Sequence, residues 1–251
     1  MKKSLLLISM IFLIIVGCNR REGEDKTGLL SYLVSISDNE DAGVKDVLGF
    51  FGGYCEYSIG KFVSTEKNSE KYFVLKLSKS EAIEKFADNL RFPASNIAYR
   101  FYRNLNSEER KNYTHIKSII VLSDGKEMGF KFSTWELEIV DKKMAFVERI
   151  VSIIKEKRFD DLAPLLNDSS YVQYDKNELI ENLKKVDSQF GNVTDEGFRI
   201  FGYKINAIDK KGNDILHISG AIIRDIQANE FKLTIDPYSD ELEILMLQYK
   251  M

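Results

Sequence analysis

The stretch WELEIVDKKMAFVERIVSIIKEKRF, residues 135–159, separates two parts of the chain with different patterns, since short helices and hairpins are predicted before it and a long helix begins with it. Its apolar residues recur three or four positions apart, which is the spacing of an amphipathic helix. The apolar face carries Phe146, Ile150, Ile153 and Ile154. The sequence therefore predicts a long helix here, with which the second half of the chain begins.

Two shorter helices and four strands are predicted after this long helix. The helices are FDDLAPLLND (159–168) and DKNELIENLKKV (175–186), and the strands are EGFRIFGYKINAI (196–208), DILHISGAIIRDI (214–226), EFKLTID (230–236) and ELEILMLQYK (241–250). The connections between the strands are short and rich in residues that favour turns. Neighbouring strands should therefore pair antiparallel, as a meander.

The first half, residues 29–134, mixes helices with paired strands. A helix that ends at Gly52-Gly53 has one apolar face, which consists of Val44, Val47, Leu48 and Phe51. Two strands follow at 54–64 and 71–77, and the polar loop between them predicts a hairpin.

Two further helices and a second hairpin complete this half. Ser78 stands three residues before Glu81, which is a capping-box arrangement that starts a helix. Pro93 opens another helix, PASNIAYRFYRNL. Asp124-Gly125 lies between two β-rich runs, where it predicts a tight hairpin turn. The predicted order is thus helix, hairpin, two helices and hairpin.

These elements predict an α+β protein of two units, a helix and hairpin unit at 29–134 and a three-helix, four-strand unit at 135–251. The second unit, opening with VERIVSIIKEKRFDDLAPLLND (147–168), resembles the nuclear transport factor 2-like domains of the cystatin-like class. The resemblance covers roughly residues 141–251. It implies a curved antiparallel sheet packed on a long helix, forming a cone whose apolar mouth holds a small ligand or an active site in some relatives.

The N-terminus has the proportions of a secretory signal. Lys2 and Lys3 precede an uncharged run at 4–16, which is shorter than the ~20 apolar residues that a membrane span needs. The residues IVGC (15–18) resemble the lipobox of bacterial lipoproteins. That resemblance implies cleavage before Cys18, a diacylglyceryl thioether on its sulfur and acylation of the new N-terminus. The alternatives are an ordinary cleaved signal with an incidental cysteine and an uncleaved short anchor.

This reading makes residues 1–17 a signal peptide and 18–28 a lipidated tether. It predicts an extracytoplasmic protein of the cell envelope, held at a membrane by acylated Cys18. Asn19 is not the Asp that favours inner-membrane retention in one group of double-membrane bacteria. In a cell with two membranes the implied destination is therefore the outer one.

Composition favours a folded protein and argues against nucleic acid as a partner. The chain is 44% hydrophobic, which suffices for a substantial core. Its net charge is −3, and loss of residues 1–17, which include Lys2 and Lys3, makes it −5. A phosphate backbone would find no basic surface here.

Few residues are candidates for chemistry. His217 in ILHISGAII is the weak catalytic candidate, a base with Asp225 or Tyr203 nearby, on the strand face opposite Leu216. Cys55 has no adjacent group that would activate a thiolate, and a structural role is expected for it. Two histidines and no cysteine pair are too few soft ligands for zinc, so we expect no metal and no cofactor.

We expect a binding or interaction module held at a membrane, because the sequence contains no complete catalytic constellation. The expected partners are the lipid bilayer and a protein or small molecule. A hydrolase or isomerase that uses a cavity of the second unit, and a structural component of an envelope assembly, stay open as alternatives. A cavity shared by His217 and a carboxylate would favour the enzyme, whereas a filled core with an exposed apolar patch would favour binding.

Overall fold

The structure, a computed structural model, describes residues 35–62, 69–168, 175–207 and 214–250. These residues form an α+β fold with two four-stranded sheets. Sheet A has the order β1 (Tyr54–Phe62), β2 (Glu70–Ser78), β3 (His115–Val121), β4 (Glu127–Ser133), and sheet B has the order β5 (Val193–Ala207), β6 (Asp214–Arg224), β7 (Asn229–Ile235), β8 (Ile244–Lys250). The helices are α1 (Asp38–Phe51), α2 (Glu81–Glu84), α3 (Arg91–Asn104), α4 (Ser107–Lys111), α5 (Thr134–Lys155), a 3-10 helix (Phe159–Leu165) and α6 (Lys176–Asp187). The α+β class and the antiparallel meander of sheet B are confirmed.

Sheet A joins the two predicted hairpins into one mixed sheet. β1 and β2 pair antiparallel, as do β3 and β4, and the turn between the latter two has Gly125 at a φ of +86°. β2 and β3 pair parallel, with Phe73 opposite Ile116 and Leu77 opposite Ile120. A parallel pair needs a long crossover, and here it carries α2, α3 and α4. The sequence had predicted the hairpins but not this pairing.

Helix α3 is the centre of the molecule. Every residue from 93 to 102 is buried, as expected for a helix that is covered on all sides. On one side the Ser118 hydroxyl of β3 donates to the carbonyl of Ala94 at 2.9 Å. On the other side the amide of Asn96 donates to the carbonyl of Ile200 in β5, also at 2.9 Å. Polar groups inside α3 therefore tie it to both sheets.

A register shift in β5 lets α3 approach sheet B closely. Ile200 pairs with Gly220 and Gly202 pairs with Ser219, so one residue of β5 is extra at this point. A Cβ on Gly202 would lie 2.4 Å from the carbonyl oxygen of Phe92 in α3. Only glycine leaves room for this contact.

Helix α5 has the predicted apolar face. Phe146, Ile150, Ile153 and Ile154 are all buried, which confirms the long amphipathic helix. The helix packs on β5, β4 and α3, so it contacts elements of both sheets. Buried apolar residues of both halves belong to one hydrophobic core. The division into units at 29–134 and 135–251 stays a prediction.

Two helix starts differ from the sequence prediction. Ser78 does not cap α2, because its backbone is paired with Tyr54 and Val121 inside sheet A. Ser80 is the cap instead, and its hydroxyl accepts from the amide of Ile83 at 3.2 Å. Helix α3 begins at Arg91, so Pro93 is its third residue and not its first. The first turn of a helix tolerates proline because backbone amides there have no partner within the helix.

A buried ion pair fixes α6 to sheet B. The guanidinium of Arg224 bonds the carboxylate of Asp187, and both side chains are almost completely shielded from water. Arg224 also donates to Asn229 Oδ1 and to the Gly191 carbonyl, both at 2.7 Å. Both charges are thus paired and hydrogen-bonded, which burial requires. Among the helices that the structure describes, none combines the length and apolarity of a membrane crossing.

Candidate interaction surface

The single tryptophan of the chain lies exposed at the start of α5. Ser133 caps this helix by accepting from the amide of Glu136 at 3.0 Å, which places Trp135 in the first turn. Trp135 is 59% exposed, although aromatic side chains usually bury a large apolar area in protein cores and so stabilise them. Because burial of an indole would stabilise the fold, a tryptophan that stays exposed to water is a candidate contact residue for a partner.

Tyr238 stacks on Trp135 and is held in place by hydrogen bonds to Asp236 in its own loop and to Asp214 at the start of β6. The two ring centroids are 5.7 Å apart at an interplanar angle of 26°, and Tyr238 is 48% exposed. Asp236 Oδ1 accepts from the amide of Tyr238 at 2.7 Å, and the Tyr238 hydroxyl donates to Asp214 Oδ2 at 2.7 Å. That bond, together with partial burial, raises the pKa of Tyr238 to about 12. The aromatic pair is therefore preorganised.

A groove of about 620 Å³ adjoins this pair, and we call it the Trp135 groove. Trp135 and three charged residues, Arg110, Lys111 and Glu138, line it. Its other lining residues share a hydroxyl group: Tyr102, Ser107, Tyr113, Thr114, Ser133 and Thr134. An aromatic wall with several polar groups is typical of small-ligand sites.

Each charge that lines the groove has a partner of opposite sign. Arg110 Nη1 lies 2.9 Å from Asp141 Oδ2, and Lys111 Nζ lies 2.8 Å from Glu108 Oε1. The carboxylate of Glu138 lies 2.8 Å from Lys142 Nζ on the next turn of α5. The three lining charges and their three partners therefore sum to zero.

A second concavity, of about 510 Å³, lies between α3, α5 and the start of β5. Its cations are also paired, Lys155 with Asp195 at 2.9 Å and Arg199 with Glu196 at 2.7 Å. The buried guanidinium of Arg100 bonds Asp46 at 2.7 Å and lies 3.7 Å above the ring of Phe50. Burial lowers the pKa of Arg100. The Arg100 pair joins α3 to α1 and the Lys155 pair joins α5 to β5, so a structural role accounts for them.

Beneath the aromatic pair the interior of sheet B is filled by side chains. Tyr203, Leu216, Ile218 and Phe231 are completely buried. The Tyr203 hydroxyl and Glu136 Oε1 lie close together in this interior without a hydrogen bond of normal geometry. Burial raises the pKa of Glu136 and raises that of Tyr203 well above its usual value.

His217 lies on the other face of sheet B, as the strand alternation predicted, because Leu216 and Ile218 face the core. Its Nδ1 is 2.9 Å from Thr234 Oγ1. Burial lowers the pKa of His217, and the charge of Lys204 opposite it lowers the pKa further. The two expected companions are not brought to it. Tyr203 faces the core, and Asp225 accepts from the amide of Asn192 at 2.7 Å.

Cys55 and Cys18 are the two cysteines of the chain. Cys55 is completely buried and burial raises its pKa to about 12, which makes it an unreactive thiol. Cys18, the signal peptide and the tether lie outside the described residues. In the described ranges no three His, Cys, Asp or Glu residues come together as metal ligands would.

Sequence reasoning missed Trp135 and Tyr238 as a site. The sequence pattern predicts Trp135 only as the start of a helix, and it places Tyr238 in a turn between two strands. One signal was available, since a chain with a single tryptophan places it next to a helix cap. No protein-family model matches the chain, and no curated protein or solved structure shows significant similarity to it.

Proposed function

We propose that this chain is a lipid-anchored extracytoplasmic protein of the bacterial cell envelope, which binds a partner or ligand through the Trp135 groove. The observation that carries the binding function is the exposed Trp135, which lines a concave surface and is stacked on Tyr238. Tryptophan and tyrosine are the residues most enriched where binding energy is concentrated. The anchor is Cys18, supported by the lipobox resemblance of residues 15–18.

The alternative of a hydrolase or isomerase has less support. A general base needs a positioned partner, and the hydrogen-bond partner of His217 is Thr234, a neutral hydroxyl. Lys204 opposite it disfavours the protonated form that acid catalysis would use. The filled interior of sheet B offers no place for a substrate beside Tyr203. A filled core with an exposed aromatic patch is the arrangement that favours a binding protein.

The proposal includes a nuclear transport factor 2-like architecture for residues 141–251. What supports it is the element order, one long helix, a 3-10 helix and a third helix before a four-stranded antiparallel meander. The packing of α5 on β5 is also in keeping with it. An experimental structure in which sheet B does not curve around α5 would contradict this part of the proposal.

Binding is tested with the chain from residue 19 onward, which lacks the lipid and retains every described residue. The protein is mixed with purified cell envelope and sedimented. We expect it to pellet with the envelope, and Trp135→Ala to reduce the bound fraction at least tenfold. Phe86→Ala is the matched control, since Phe86 is also an exposed aromatic residue but lies outside the groove. Equal sedimentation of all three proteins, or none at all, would overturn the proposal.

Anchoring is tested separately in cells. The full chain should partition with membranes and incorporate labelled fatty acid, and Cys18→Ala should abolish both. Continued labelling of Cys18→Ala would rule out lipidation at this residue.

A further inference from the structure

We infer that the Trp135 groove binds a neutral saccharide. This rests on the proposed function, because it names the ligand class of the same surface. Its first ground is the aromatic platform. The face of an indole carries the negative part of the ring quadrupole, whereas the C–H face of a pyranose is apolar and slightly positive. Trp135 stands exposed beside the groove, and Tyr238 supports it by stacking.

The second ground is the remaining hydrogen-bonding capacity of the groove. An arginine has five N–H donors, and Arg110 uses two of them, on Asp141 and on the carbonyl of Leu105. Glu138 engages Lys142 through one carboxylate oxygen, which leaves the other as an acceptor. The hydroxyl of Ser107 has no hydrogen bond within the part of the chain that the structure describes. Sugar hydroxyls both donate and accept, so they match this mixture.

The third ground is charge. Because Arg110, Lys111 and Glu138 are each paired with an opposite charge, the groove offers no surplus cation to a phosphate or an acidic polymer. A lipid tail or an apolar helix would need a continuous apolar floor, whereas six of the ten lining residues carry hydroxyl groups and three carry charges, so polar groups interrupt the apolar surface of the groove. An uncharged polyhydroxylated ligand fits both properties.

The fourth ground is rigidity. Arg110 is fixed by its two hydrogen bonds and by stacking, with its guanidinium carbon 4.3 Å from the centroid of Tyr102. Trp135 and Glu138 lie three residues apart on one helix and therefore share a face. A preformed site loses little conformational entropy on binding, which weakly binding sugars require.

The test uses the fluorescence of Trp135, which is the only tryptophan and so reports on the groove alone. The chain from residue 19 is titrated with hexamers of β-1,4-linked glucose and of β-1,4-linked N-acetylglucosamine. Inorganic polyphosphate and phosphatidylcholine vesicles serve as the anionic and lipid probes. We expect one of the hexamers to shift the emission to shorter wavelength with saturation at millimolar or lower concentration, and the other two probes to leave it unchanged.

Variants measured by calorimetry complete the test. Trp135→Ala should weaken hexamer binding at least tenfold, Trp135→Tyr should retain most of it, and Phe86→Ala should leave it unchanged. The inference is overturned if neither hexamer binds, or if polyphosphate or vesicles bind instead. If Trp135-dependent envelope binding persists while protease treatment of the envelope abolishes it and no hexamer competes, the partner is a protein. In that case the saccharide is excluded and the proposed function stands.

Discussion

Replacing Ser95 by alanine removes a polar link between α3 and sheet B without changing the volume of the core appreciably. Ser95 is completely buried. Its hydroxyl donates to the carbonyl of Phe92 at 2.7 Å and accepts from the amide of Tyr203 in β5 at 2.9 Å. The substitution deletes the bond to the Phe92 carbonyl and leaves the backbone amide of Tyr203 buried without a partner.

The magnitude follows from these two losses. An ordinary intramolecular hydrogen bond contributes about 0.5–1.5 kcal/mol, and an unsatisfied buried group costs roughly 1–3 kcal/mol. We therefore expect Ser95→Ala to lower the free energy of unfolding by about 2–4 kcal/mol. For a domain of this size, that corresponds to a fall in Tm of roughly 5–15 °C.

Urea unfolding measures this change with two probes, Trp135 fluorescence and far-ultraviolet circular dichroism. Because both sheets contribute to one core, the two probes should give the same midpoint in the wild type and in Ser95→Ala. Ser152→Ala is the matched control, since Ser152 is exposed on α5 and should change stability by less than about 0.5 kcal/mol. An effect of Ser95→Ala as small as that of the control, or a shift seen by one probe only, would refute the reasoning.

Three further predictions concern buried groups. Asp187→Ala leaves the buried Arg224 charge without its carboxylate and should cost about 3–5 kcal/mol in urea unfolding. Asp187→Leu combined with Arg224→Met should recover part of that loss, because no unpaired charge then remains, although Asn229 and the Tyr249 hydroxyl lose their partners. An equal loss in both would contradict the prediction. Glu136→Gln should stabilise the protein at neutral pH, because burial raises the pKa of Glu136 and a carboxyl of this kind costs stability above its unfolded pKa of ~4.3. The gain should vanish in thermal melts below about pH 4, and a gain that persists there would contradict the assignment. Cys55, buried and with its pKa raised to about 12, should react with a thiol reagent only in urea, so full labelling of the native chain from residue 19 would contradict it.

The parts of the fold that the sequence predicted are those set by neighbouring residues. The turn at Asp124-Gly125 depends on a glycine at positive φ, and the meander of sheet B depends on short polar connections. The apolar stripe of α5 follows from helical periodicity alone. Each of these features can be recognised within a short stretch of sequence.

The parts that it did not predict depend on residues far apart in the chain. Nothing local in β2 or β3 indicates that they pair parallel across the helices between them. Trp135 is the clearest example at the candidate site. It stands in line with Ile153, about five helical turns later, yet Ile153 is buried and Trp135 is exposed. Only the packing around the first turn of α5 distinguishes the two.

Acrylamide quenching of Trp135 fluorescence tests the binding function most directly. The lipidated protein is measured first in detergent and then after reconstitution with purified envelope, using Phe86→Ala as the control variant. If the Trp135 groove binds an envelope component, the quenching constant should fall several-fold on reconstitution in both proteins, because the indole leaves water. An unchanged quenching constant would contradict the account, since Trp135 would then remain exposed in the surroundings where its partner is expected.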